Sequence, residues 1–466
     1  MLLTEYLNLP LSQTQVDFII PDIDQDRRLC IDPFLFYKSK DPKLQSFHTR
    51  LLDIFNTAFR YFREDKRTEM DKLIDFPEVN NIALGYSNKR IKGSGMGGYL
   101  NRLVADTLTN SSVLLERGLK HIEELQLVSV GIGPDRISDM VANILKQQLV
   151  EYTFEQCEIW GIPVERGVPL SHIFDLETFE WYDGYVDLPT NPKTGLPLLF
   201  VPRRVVRILP WINFEDYERN EYRFFLNPKK PKGWSSLPGI RLKTPQNNKD
   251  NIIIVTQHNI HLLDNYVARK EQTSSQAEPQ IIPVSSDDME VKEEELIQGL
   301  KSIQPGQSDA TKYQKHMLGI LNHLFEPELT NGKIEEPTID GTERRDIVFT
   351  NESERSFWQY VRQQYSNYLV MFEAKNVYEV NNQHINQVAA YMGDRIGRFA
   401  IILTRNPPNE AQIRKIITVF NDSIPRKVIL IIHDSDVETM LRMKERGENP
   451  TKHIQQLYRE FKLHLQ

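Results

Sequence analysis

The chain has 466 residues, of which 40% are hydrophobic and 26% charged, and its formal net charge is −7. That length exceeds one ordinary core and predicts two or three domains, while the acidic balance excludes a globally basic nucleic-acid binder, so any nucleic-acid surface has to be local. Cys30 and Cys157 are too few for a disulfide framework and lack zinc-ligand spacing, no apolar run is long enough to span a membrane, and the stretch MLLTEYLNLPLSQTQVDF has no basic n-region, so a cytoplasmic location without membrane attachment is expected.

Residues 1 to about 45 read as short strands and turns, with apolar runs at Val16–Ile20 and Leu29–Ile31. Phe47, Leu51, Leu52, Ile54, Phe55 and Phe59 recur at helical spacing and predict a helix within 46–75. A second helical region follows over 98–126, interrupted near Asn110-Ser111-Ser112, and Pro134 opens a third, with Ile137, Met140, Ile144 and Leu145 on its apolar face. Residues 163–262 read as β-rich, carried by LPLLFVPRRVVRIL and NIIIVTQ. The first 268 residues are therefore expected to form an α+β module, and the polar, Ser/Gln/Glu-rich stretch 269–309 a linker with a helix near Val291–Ile303. From 310 to 466 the pattern is α/β. A helix is expected near Tyr313–Leu324, strands near Arg344–Phe349, Leu369–Ala374, Phe399–Thr404 and Lys427–Ile432, and helices near Asn382–Gly393, Glu410–Phe420, Val437–Arg446 and Pro450–Leu463.

The most informative run is Y368-L-V-M-F-E-A-K-N376. Its apolar body predicts a buried strand, yet Glu373 and Lys375 follow with a single alanine between them, so the two charges project from one face. Buried charges need a partner. Asp346, near the start of the preceding strand, supplies a second carboxylate, and two carboxylates make a hard-oxygen site suited to Mg²⁺. A lysine beside such a site can orient an attacking water or stabilise phosphate charge. The charge balancing Glu373 is thus expected to be a divalent cation shared with Asp346, more than Lys375; the bland alternative is a surface Asp346 and a simple Glu–Lys ion pair.

Asp346 followed by Glu373-Ala374-Lys375 resembles the PD-(D/E)xK, or restriction-endonuclease-like, nuclease superfamily, although Arg345 stands where that pattern has proline. Gln387 and Tyr391, four apart on one helix face, are similar to the Q-x-x-x-Y signature of RecB-like branches. The tail VILIIHDSDVETMLRMKERGENP has a looser likeness to Shedu-type bacterial anti-phage defence nucleases. The resemblance implies an α/β fold, a mixed central sheet flanked by helices, for residues 310–466. It implies Mg²⁺ or Mn²⁺ held by Asp346, Glu373, the Ala374 carbonyl and Glu326 (Glu328 in reserve), with Lys375 positioning the attacking water and Gln387 and Tyr391 orienting the substrate backbone or the metal ligands. The implied activity is metal-dependent hydrolysis of DNA in phage defence, by a homodimer or larger homo-oligomer, with a partner defence protein conceivable and the N-terminal module as sensor, DNA-binding or oligomerisation part. The rivals are a catalytically inactive nuclease fold serving as a scaffold, an RNase on the same fold, and a nucleotide-sensing N-terminal module.

Other motifs are weaker. Gly93–Gly98 satisfies G-x-G-x-x-G without a buried strand before it, so a plain glycine loop is favoured. The lysines of N227-P-K-K-P-K-G-W234 with Trp234, and the arginines of V201-P-R-R-V-V-R207, could meet phosphates, but a solvated loop is the commoner reading of such short runs. His258 and His261 have no third metal ligand in view, and Asp434 and Asp436 fit a helix start at Ser435 or Asp436 better than a supporting role at a metal site.

Overall fold

The computed structural model describes residues 1–77, 79, 81–85, 97–223, 249–277, 293–334, 347–354, 356–394 and 396–465. They form two compact units, Met1–Leu7 with Ile20–Ile282 and Asn8–Ile19 with Pro283–Gln466. No helix among the described residues is long and apolar enough to cross a membrane.

The first unit is mainly helical. Its longest helix, Pro42–Arg63, starts on an Asp-Pro pair: Asp41 accepts the Lys43 N–H and Pro42 takes the first turn, where no N–H is needed. Leu51, Ile54, Phe55, Ala58 and Phe59 form its buried stripe. Pro134 opens the helix Pro134–Ile144 as the sequence suggests. Strand β1 (Cys30–Ile31) pairs with β4 (Val206–Arg207), and β2 (Glu165–Phe174) with β3 (Trp181–Leu188), both antiparallel.

Two expectations fail in this unit. NIIIVTQ is helical, within Lys249–His258. Asn251, Ile252, Ile253, Val255, Thr256 and Gln257 are all buried, and a segment enclosed on most sides loses the periodicity that separates helix from strand. LPLLFVPRRVVRIL contributes only β4 and a 3₁₀ turn at Arg203–Val205, because Pro197 and Pro202 interrupt the ladder. The stretch 269–309 is also less of a linker than its composition suggests. Arg269–Gln272 completes the helix Ile260–Gln272, and Glu293–Ser302 is a helix that buries Leu296, Ile297 and Leu300 beneath its acidic surface.

The second unit is built on a five-stranded sheet in the order β5 (Leu329–Ile334), β6 (Ile347–Asn351), β7 (Leu369–Ala374), β8 (Phe399–Thr404), β9 (Val428–His433). The β5–β6 and β6–β7 pairs are antiparallel, β7–β8 and β8–β9 parallel, so the sheet is mixed. β8 is buried along its whole length and reads FAIILT, as expected for a strand covered on both faces. Strand β5 and the helix Ser356–Tyr365 were not expected. β5 is a polar edge strand with a register shift after Thr330, where Asn331 takes a left-handed φ of 54°. Gly332 follows because a Cβ there would lie 2.5 Å from the Phe349 ring. The helix Ala310–Phe325 packs on the sheet through Phe325, whose ring stacks on Phe372 at 6.1 Å. The segment 8–19 joins this unit through the same helix: Asn322 Nδ2 donates to the Gln15 carbonyl at 2.8 Å, and His323 Nδ1 lies 3.0 Å from Thr14 Oγ1.

Candidate active site

Strand β7 sorts its side chains between two faces. Val370 and Phe372 look toward the aromatic core, where Phe372 meets Phe325 and Phe349. Glu373 and Lys375 take the opposite face, as alternation requires. The ladder extends one residue past the strand, since the Lys375 N–H donates to the Leu403 carbonyl at 2.9 Å. Asn376, next along, anchors the strand end. Its Nδ2 donates to the carbonyls of Gln304 and Gly306, both at 2.8 Å, and its own carbonyl accepts the Gly306 N–H. The strand end that carries the charges is therefore fixed on both sides.

Four of the expected residues meet here. Lys375 Nζ lies 2.5 Å from Glu373 Oε1 and donates to Gln387 Oε1 at 3.3 Å, and Gln387 Nε2 donates to the Tyr391 hydroxyl at 3.0 Å. The Glu373 side chain is 2% exposed and that of Lys375 17%. Among the described residues, the direct ion-pair partner of Glu373 is Lys375. Removing one member of so buried a pair costs about 3–5 kcal/mol, because the other charge is left uncompensated. Gln387 uses both ends of its amide, which settles its orientation: oxygen to Lys375, nitrogen to Tyr391. Gln387 thus contacts the lysine directly, and Tyr391 contacts it through Gln387.

Asp346 lies outside the described residues. Ile347, which follows it, pairs with Phe372, the residue before Glu373. Glu326 is half-buried at the C-terminus of the helix Ala310–Phe325, directly after the ring that stacks on Phe372. Glu328 is engaged elsewhere: its carboxylate accepts from Thr451 Oγ1 at 2.5 Å and from Asn449 Nδ2 at 3.3 Å, which ties down the start of the last helix and removes it as a reserve ligand. Among the described residues, no group of three or more His, Cys, Asp or Glu side chains stands ready to hold a metal ion. Glu373 and the Ala374 carbonyl at this strand end, and Glu326 at the end of the helix Ala310–Phe325, are hard oxygen donors of the kind Mg²⁺ and Mn²⁺ prefer, so their chemistry fits such an ion.

Glu373 and Lys375 stand apart from the other charges near the parallel strand ends, which are satisfied internally. Arg405 Nε pairs with Asp434 at 3.0 Å and Arg405 Nη2 donates to the Ile303 carbonyl, while Tyr313 donates to Asp434 at 3.1 Å. Burial pushes the Asp434 carboxyl up to about 6 despite Arg405. Asp436 lies between His433 and His453, at 3.4 and 2.8 Å. The last-but-one helix, Asp434–Glu445, is capped by His433, two positions before the Ser435 cap expected, and the His433 N–H donates to Asp436. In the first unit, Arg204 and Arg207 of the basic run are buried against Asp41 and Asp32, so they are internal ion pairs and not a nucleic-acid face. His258 is spent on the Ile254 carbonyl within its own helix. The glycine run up to Met96 and the lysine run 227–234 lie outside the described residues.

A family described as a domain of unknown function (DUF8370) matches residues 8–213, less than half of the chain and none of the strand-end residues above. Over 107 residues the chain is 31% identical to a protein of Escherichia coli (strain K12) named "Putative transposon gamma-delta 80.3 kDa protein". That match covers 23% of this chain and 15% of the other protein. No solved structure matches.

Proposed function

We propose that the C-terminal unit is a metal-dependent nuclease of restriction-endonuclease-like fold that hydrolyses phosphodiester bonds of DNA. The observation that carries the reading is the contact chain Glu373–Lys375–Gln387–Tyr391 at the end of a central strand of a mixed sheet. A purely structural ion pair needs neither the glutamine that grips the lysine nor the tyrosine that fixes the glutamine.

Glu373, with Asp346, Glu326 and the Ala374 carbonyl, is the ligand set for Mg²⁺ or Mn²⁺, and such an ion would acidify a bound water and offset charge developing on phosphorus. The Lys375 ammonium orients the attacking water and meets negative charge as it grows on the phosphoryl oxygens. Gln387 Oε1 restrains that ammonium, and Tyr391 keeps the amide from turning its nitrogen toward it. The first unit is the sensor, DNA-binding or oligomerisation part, and a homo-oligomer brings two such sites to the two strands of a duplex. A role in bacterial anti-phage defence belongs to the same proposal.

The direct Glu373–Lys375 pair favours one competing reading, a catalytically silent scaffold. Digestion of duplex DNA, single-stranded DNA and RNA in Mg²⁺, Mn²⁺ and EDTA decides between them. The nuclease reading expects metal-dependent cleavage of DNA that Glu373→Gln abolishes. Cleavage of RNA alone would make the enzyme a ribonuclease, and no cleavage of any substrate would favour the scaffold.

A further inference from the structure

The helix Asn382–Tyr391 carries a residue that the contact chain above leaves unused. His384 stands three positions before Gln387 and seven before Tyr391, so the three half-buried side chains share one stripe of the helix. The middle of that stripe grips Lys375. His384 is also part of the helix cap: Asn381 Oδ1 accepts the His384 N–H at 2.9 Å, and His384 Nδ1 accepts the Asn381 N–H at 3.3 Å.

This exchange fixes the tautomer. Nδ1 holds the lone pair, so the proton of the neutral ring sits on Nε2. Burial, and then the positive charge of Lys375, holds the imidazole below its ordinary pKa, so the ring is neutral near pH 7. There are no acidic residues in the first turn of this helix, and its N-terminal end adds positive potential of its own. A neutral N–H donor at the positive end of a helix, close enough to feel the Lys375 charge, suits a phosphate oxygen.

We propose that His384 donates from Nε2 to a non-bridging oxygen of the nucleic-acid backbone beside the phosphate that is cut, making it a substrate-binding residue of this site. The inference rests on the nuclease reading for the word "cut", but not for the contact itself. Glutamine and glutamate are both natural third residues of a helix start, able to return the bond to Asn381, so both variants keep the cap. They differ at the substrate: His384→Gln retains a donor, whereas His384→Glu presents an anion to an anion.

The test is anisotropy of a fluorescein-labelled DNA duplex with the full-length protein in Ca²⁺, with cleavage in Mg²⁺ measured alongside. H384Q is expected to bind within about threefold of the wild type and H384E at least about tenfold more weakly, the scale of a lost hydrogen bond to a charged group. Equal affinity of H384Q and H384E, or a wild type that binds no DNA, overturns the inference. A wild type that binds without cutting, with H384E still weakened, keeps the phosphate contact and sinks the nuclease reading instead.

Discussion

The two units bury charge in opposite ways. In the first, buried Glu124, Asp32 and His121 find charged partners within the unit. Glu124, with no side-chain exposure, accepts the N–H groups of Lys120 and His121 and pairs with Arg117 at 2.8 Å, and Arg117 continues to Asp264. Asp32 accepts from Phe34 N and Trp211 N, with Arg207 at 3.5 Å. Glu123 lies fully buried beside it, and burial, then the Asp32 charge, raises its pKa well above the ordinary range. His121 bridges Glu271 and His48 at 2.9 and 3.3 Å. In the second unit, Glu373 and Lys375 sit at a strand end, and Gln387 from the helix Asn382–Tyr391 accepts from the lysine. Closed clusters specify a fold, whereas an aimed and restrained lysine is what a reacting group requires.

Perturbing the two kinds of cluster should therefore give opposite signatures. The largest effect on activity is expected from Glu373→Gln: metal-dependent cleavage per folded molecule falls by at least about a thousandfold, and the loss of stability stays below the ~3–5 kcal/mol of a deleted partner, because glutamine still accepts from Lys375 and that lysine is 17% exposed. Arg117→Met should do the reverse. It strips the buried Glu124 of its charge partner, at a cost of about 3–5 kcal/mol in denaturant titrations, with cleavage per folded molecule unchanged.

A third signature is pH. Burial holds His48 at about 4 and His121 at about 3, both below the ordinary histidine value of 6.5. These folded-state values are depressed, so their contribution is present above pH 6.5 and is lost as pH falls toward 4 and 3, where only the unfolded chain takes up protons readily. Denaturant titrations across that window should show a loss on the order of 3 kcal/mol per ring, and His48→Gln with His121→Asn should flatten it. The smallest effects belong to the helix stripe. Gln387→Ala should slow cleavage about ten- to a hundredfold by releasing Lys375, and Tyr391→Phe by less than about tenfold, since it frees only the orientation of the amide. Equal effects of the two would mean that they do not act in series on the lysine.

Much of the second unit was legible because parallel strands buried on both faces write themselves as continuous apolar runs: LVMF, FAIIL and VILII. β5 was not, because LTNGKI is a polar edge strand whose bulge depends on Gly332 facing Phe349. The helical NIIIVTQ misled because all-round burial erases periodicity. At the site, alternation placed Glu373 and Lys375 together, and helical spacing placed Gln387 and Tyr391 together. That the glutamine holds the lysine depends on how the helix Asn382–Tyr391 lies against the sheet, which no sequence spacing encodes. His384 had a signal, three positions before Gln387, but its ring is read as a donor only once the Asn381 N–H is seen on Nδ1.

The central claim is that the carboxylate at the end of β7 serves a divalent ion and not only its neighbouring lysine. Calorimetric titration of Mn²⁺ into the wild type and Glu373→Gln tests it without reference to any substrate. The account predicts saturable binding to the wild type, weakened at least about tenfold in the variant; superimposable isotherms for the two proteins would contradict it.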